Sequence, residues 1–191
     1  MVEQSFETVK IGVCDCFWRP VQTTATPNPE EVYLGLTKGG VELAYTPEWY
    51  EIQVDQFGKT ATESVLIGET IVATVPLAET DIGKLELFAH TATKISEMGK
   101  EKLVFGRRPG LRLEGLAGRL RLHPIAMGGS NDEDVVIYRA VNKAPMALNY
   151  RVDEERIYSI EFNGIVARQS LEAELAGIDG AFLWQIGNPN V

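Results

Sequence analysis

The segment Tyr50-Glu51-Ile52-Gln53-Val54-Asp55, the following Gln56-Phe57-Gly58-Lys59, and then Glu69-Thr70-Ile71-Val72-Ala73-Thr74-Val75-Pro76-Leu77 decide the fold class. Apolar and polar residues alternate strictly over 50–55, and a period of two belongs to a strand with one buried face. Tyr50, Ile52 and Val54 share one face; Glu51, Gln53 and Asp55 share the other. Residues 56–59 read as a turn and 69–77 as the returning strand. The connector 60–68 opens polar but holds Val65-Leu66-Ile67. Two readings stay open there, one long hairpin or a shorter hairpin with a separate flap.

Upstream, Val32-Tyr33-Leu34-Gly35-Leu36-Thr37 and Val41-Glu42-Leu43-Ala44-Tyr45 flank Lys38-Gly39-Gly40, which predicts a further β-hairpin. Residues 1–31, ending in Thr26-Pro27-Asn28-Pro29-Glu30-Glu31, read as an extended arm and a loop. Downstream, Ile82, Leu85 and Phe88 or Ala89 recur at helical spacing, with Thr80 as N-cap and Asp81 in the first turn. Such a lone amphipathic helix covers an open sheet face or a barrel mouth. Gly118 to Pro124 alternates, Asn131 to Asp134 reads as a solvated turn, and Val135 to Val141 is a continuous strand-like run. In 156–163, Tyr158, Ile160 and Phe162 oppose Ser159, Glu161 and Asn163. Residues 185–191 read as a flexible tail. The expectation is one mainly β domain over 1–191, an antiparallel β-barrel or sandwich with one flanking α-helix and a long β-hairpin.

A chain of 191 residues with 45% apolar and 24% charged residues can bury one substantial core, which sets aside disordered, collagen-like and coiled-coil classes. Twenty-seven acidic against 18 basic side chains give a net charge of −9, a field that repels phosphate and argues against sequence-specific nucleic-acid binding. The charge is unevenly spread. Residues 100–121 hold seven basic and two acidic side chains, whereas 30–81 hold ten acids against Lys38 and Lys59. The basic segment is either a solvated loop or a surface that meets the acidic surface of another copy, with Arg107, Arg108 and Arg112 as contact candidates. No basic n-region precedes an apolar core in the first thirty residues, and no apolar run approaches the roughly 18 residues of a spanning helix. The chain is expected in the cytosol when made.

Nucleotide-binding, metalloprotease, hydrolase-elbow and Cys-x-x-Cys spacings are absent, so no catalytic residue and no cofactor is expected. Cys14 and Cys16 point the same way on one extended stretch and read as free thiols; an intermolecular disulfide or a metal site are the alternatives. His90 and His123 stand in no ligand spacing with them, so no metal is expected. His123, before Pro124, reads as a hydrogen-bonded turn residue, and Asp132, Glu133 and Asp134 as solvated acids. Trp18, Trp49 and Trp184 lie in unlike segments, which favours core or interface packing over a ligand platform.

The order of parts carries a resemblance: a Gly-turn hairpin, Glu51-x-x-x-Asp55-x-x-Gly58 opening a long hairpin, a helix over 80–89, then Leu120-Arg121-Leu122-His123-Pro124 before a late strand pair. In this order the chain resembles the major tail tube proteins of tailed bacteriophages over roughly residues 32–166. The resemblance implies hexameric rings stacked into a tube whose inner wall is a continuous β-barrel built by hairpins of every subunit. It also implies a virion tail assembled in the host bacterial cytoplasm. Implied partners are other copies of the chain, the tape-measure protein enclosed in the tube, terminator and baseplate proteins, and in some tails a sheath. DNA would pass the lumen without specific binding. Glu51, Gln53, Asp55, Ser159, Glu161 and Asn163 would face that lumen, where carboxylates repel phosphate. The related tube of a type VI secretion system or bacteriocin, a single-ring terminator or baseplate protein, and a monomeric β-sandwich binding module are the alternatives.

Overall fold

The computed structural model describes residues 12–20, 29–79, 81–106, 109–144, 156–168 and 181–189. In chain order the elements begin with β1 (Cys14–Pro20), β2 (Val32–Tyr33), β3 (Glu42–Gln53) and β4 (Ala61–Leu77). The single α-helix among the described residues, α1 (Ile82–Phe88), precedes β5 (Ala92–Glu97), β6 (Lys100–Phe105), β7 (Gly118–Pro124) and β8 (Val135–Asn142). Next come β9 (Tyr158–Gly164), β10 (Ala167–Arg168), β11 (Ala181–Phe182) and β12 (Trp184–Ile186).

One antiparallel sheet runs β2-β1-β7-β8-β9-β4-β3, with β12 paired to β8; β5–β6 and β10–β11 are separate two-stranded sheets. The main sheet is strongly curled. Trp18 of β1 and Phe162 of β9 have two strands, β7 and β8, between them in the ladder, yet their ring centroids lie 5.2 Å apart. Phe88 of α1 closes over both, edge-on, at 6.4 and 5.7 Å. Around these rings Ile71, Val75, Leu77, Leu120, Ile137 and Ile160 fill the concave face. Gly118 lets the curl tighten, since a Cβ there would sit 2.3 Å from the Trp18 ring and 2.8 Å from the Arg19 carbonyl.

The sheet remains open, so a closed barrel is not formed. At one corner it is tied. The Leu34 N–H donates to the Cys16 carbonyl at 2.9 Å, the Lys38 N–H to Pro76 at 3.0 Å, and the Ala78 N–H to Leu36 at 2.8 Å. Residues 34–38 therefore cross from β1 to the end of β4, and the hairpin expected over 32–45 is not made. Val32 and Tyr33 pair with β1, while 42–45 pair with β4; Gly39 and Gly40, at φ 101° and 86°, turn the corner between them.

Other boundaries also move. Residues 14–20, expected within an arm, form β1 with a full antiparallel register to β7; residues 1–11 and 21–28 lie outside the described residues. Trp184 to Ile186 pair with β8, and Asn188 Nδ2 donates to Asp132 at 3.1 Å, so 185–189 are held rather than frayed. Asp81, not Thr80, caps α1: its carboxylate accepts from the Lys84 N–H at 2.7 Å, while Thr80 lies outside the described residues. Residues 100–105, expected in a basic loop, are strand β6.

Candidate functional site

β3 and β4, of 12 and 17 residues, form one long hairpin, and the stretch 61–68 is strand rather than flap. Its period is masked by two bulges. Glu48 pairs with Gly68 but Trp49 with Leu66, which leaves Ile67 extra; Ile52 pairs with Glu63 but Gln53 with Ala61, which leaves Thr62 extra. Thr62 Oγ1 donates to the Ile52 carbonyl at 2.9 Å and ties the second bulge down. A 3-10 turn over Asp55–Phe57 closes the tip.

The two halves of this hairpin live in different surroundings. Over 72–77, β4 is braced by β9, and burial alternates from Ile71 to Leu77. Over 61–70, β4 is paired with β3 alone, and nearly every residue of 61–70 is exposed. Exposure there includes large apolar side chains: Trp49 at 56%, Tyr50 at 60%, Phe57 at 65% and Ile67 at 62%, with Val65 and Leu66 beside them. Among the described residues the outer edge of β3 has no strand partner, nor does the second edge of β4 over 61–70. Unpaired edges and apolar side chains on both faces make this half a surface that calls for a partner.

Register decides which polar residues share a face. Glu42, Thr74 and Glu161 form one row across β3, β4 and β9; Ala44, Val72 and Asn163 form the next. Ser159, Glu161 and Asn163 thus share the non-core face with Glu42, Thr46 and Glu48. Glu51 and Gln53 alternate onto the opposite face with Tyr45 and Trp49, and Asp55 belongs to the tip turn. The six residues expected to line a single surface are therefore divided between two faces and the tip turn. The face bearing Ser159, Glu161 and Asn163 holds the carboxylates Glu42, Glu48 and Glu161, and β3, β4 and β9 contain no lysine or arginine. Asn163 Nδ2 donates to Glu161 at 3.0 Å, orienting that carboxylate.

The basic segment is partly consumed internally. Arg121 grips Glu31 through Nε at 3.0 and 3.1 Å and through Nη2 at 2.5 Å, and its Nη1 donates to Asp134 at 3.0 Å. Its guanidinium lies 4.3 Å above the Phe17 ring. His123 places Nδ1 2.6 Å from the other Asp134 oxygen and Nε2 2.9 Å from the Gly128 carbonyl. Both ring nitrogens face acceptors, which suits an imidazolium, and the Asp134 hydrogen bond raises its pKa above the ordinary histidine value. Asp134 is fully buried, which corrects its reading as a solvated turn acid. This network joins Glu31, β7, the turn before β8 and, through Gly187 N–H to the Asp134 carbonyl at 2.9 Å, the C-terminal segment. Arg112 is exposed beside a 3-10 turn; Arg107 and Arg108 lie outside the described residues.

Trp18 is core, Trp184 packs against the core and the Tyr45 ring, and Trp49 stands exposed on the hairpin. Cys14 is half-buried and Cys16 fully buried, both as free thiols. Among the described residues no three His, Cys, Asp or Glu side chains gather as metal ligands. One feature left no signal in the pattern of residues: an apolar groove of about 820 Å³ between α1, β6 and the end of β8. No protein-family model matches the chain, and no curated protein sequence matches it.

Proposed function

We propose that this chain is the subunit of a tail tube of a tailed bacteriophage, assembling as rings that stack into a conduit for DNA around a tape-measure protein. The observation that carries the reading is the distal half of the β3–β4 hairpin, which among the described residues has both edges unpaired and bears apolar side chains on both faces. A monomer gains nothing from such an arm. In a ring, edge-to-edge pairing between copies would satisfy the backbone, and covering Trp49, Tyr50, Phe57 and Ile67 would contribute about 1 kcal/mol or more per residue.

The face bearing Glu42, Glu48, Ser159, Glu161 and Asn163 is the proposed lumen wall. With carboxylates and no cations on β3, β4 and β9, it would repel a sliding phosphate backbone. Assignment of the wall to this face moves Glu51 and Gln53 to the outer side of the hairpin.

Negative-stain electron microscopy over a concentration series tests the reading. Hollow tubes or stacked six-fold rings are expected, and Trp49→Ser with Tyr50→Ser should abolish them while leaving the monomer's melting temperature unchanged. Single rings that never stack would favour a terminator-type component. Monomers at every concentration would overturn self-assembly.

A further inference from the structure

We infer that Asn163-Gly164 at the end of β9 is a deamidation site: the closed sheet holds the reaction off, and a chain that has reacted cannot re-form the strand end. Asn163 is the one asparagine in the sequence that is followed by glycine. A residue without Cβ leaves its backbone nitrogen open to attack the side-chain carbonyl before it. The Gly164 nitrogen bonds to Asn163 Cγ, the Cγ–Nδ2 bond breaks, and Nδ2 leaves as ammonia with the Gly164 amide proton. Water then opens the cyclic imide. Cutting the new bond leaves aspartate; cutting the original peptide bond leaves isoaspartate.

The fold both imposes this dipeptide and guards it. A Cβ at residue 164 would stand 2.4 Å from Ile71 Cγ2 and 3.4 Å from Ile137 Cγ2, both in the core. Residue 164 therefore cannot acquire the side chain that would shield its nitrogen. Asn163 pairs with Val72 of β4 on one side and Val141 of β8 on the other. Extended backbone, with ψ near about +135°, turns the Gly164 nitrogen away from Cγ, so ring closure needs β9 released. Nδ2 is held as well, by Glu161 at 3.0 Å. Val72 and Asn163 form the terminal pair of β4 with β9, and Gly164 ends β9, so a local opening of the strand end suffices. The products do not fit back. Aspartate sets a second carboxylate against Glu161 on strands that hold no lysine or arginine. Isoaspartate routes the chain through the side-chain carbon, and the added backbone atom breaks the pairing with β4 and β8.

The test incubates the full-length protein at mildly alkaline pH in native buffer and in urea. Trypsin then releases residues 157–168, a peptide in which Asn163 is the one amide side chain. Mass spectrometry should show conversion to the aspartate and isoaspartate forms in urea, and conversion at least roughly tenfold slower in native buffer. Equal rates would overturn the sheet as guard, and no conversion in urea would overturn the site itself. Converted chains, separated by anion exchange and returned to native buffer, should melt below unconverted chains carried through the same steps. An equal melting temperature would overturn the claim that the reacted strand end does not re-form.

Discussion

Trp18 and Phe162 touch across the hollow of the sheet at 5.2 Å between ring centroids, although β7 and β8 separate their strands. The contact measures the curl. Phe162 is fully buried and also meets Phe88 edge-on at 5.7 Å, so it couples β1, β9 and α1. Phe162→Ala should therefore cost about 3–5 kcal/mol, a large part of the roughly 5–15 kcal/mol of a typical domain. Chemical denaturation would show it as a lowered midpoint; a loss under about 1 kcal/mol would mean that the curl does not depend on this ring.

That cluster was legible in part. Tyr158, Ile160 and Phe162 stand on the core face as their spacing predicts, because β9 is regular and lies between two strands. The hairpin was less legible. Extra residues at Thr62 and Ile67 break the period of two, so 60–68 reads as a connector although it is strand. Glu51 and Gln53 crossed to the other face from Glu161 because alternation within one strand says nothing about pairing with the next. Likewise Gly39-Gly40 announces a turn but not the partners of the segments it joins. Asp134 looked solvated because its partners, Arg121 and His123, come from another strand, and the Glu31 that shares Arg121 is ninety residues away from it.

His123 makes stability depend on pH in a definite direction. The Asp134 hydrogen bond raises its pKa above the ordinary 6.5, the Gly128 carbonyl adds to the rise, and desolvation and Arg121 oppose it. Folding therefore raises the ring's proton affinity. The stabilisation is complete below the unfolded value near 6.5 and is lost as pH climbs through the raised folded value. Urea midpoints should fall on the alkaline side of that range in the wild type. His123→Gln should cost about 1–3 kcal/mol near pH 6 and flatten that fall. An identical pH profile in the two proteins would exclude His123 as its source.

The cysteines should react in sequence. The neighbouring Cys16 thiol holds the Cys14 thiol below its usual range, while Cys14 and burial push Cys16 upward. Cys14 is half-buried and Cys16 has no exposed surface. A thiol reagent on the native protein should label one equivalent, at Cys14, and a second only in denaturant. Cys16→Ala should slow the native labelling severalfold by removing the neighbouring thiol that lowers the Cys14 pKa. Two equivalents released together in native buffer would contradict the arrangement.

Met98 carries backbone strain at the tip of the β5–β6 hairpin. Glu97 pairs with Lys100 across a two-residue loop, and both loop residues have positive φ, 49° at Met98 and 75° at Gly99. Gly99 adopts this freely, whereas a side chain at Met98 costs roughly 1–2 kcal/mol, and at 96% exposure the side chain recovers little by packing. Met98→Gly gives back part of the gain through added freedom of the unfolded chain, and Met98→Asn avoids that loss, so Asn should stabilise the hairpin by about 1 kcal/mol. β5–β6 is a sheet of its own, tied to α1 by Lys94, which reaches Glu101 at 2.9 Å and Glu86 at 3.7 Å. It can therefore open without the main sheet, and the benefit should appear locally. Amide exchange over 92–105 should slow roughly fivefold in Met98→Asn while β7–β9 exchange stays as in the wild type. Equal slowing everywhere would instead make β5–β6 part of the global folding unit, and no slowing would mean that the turn stores no strain.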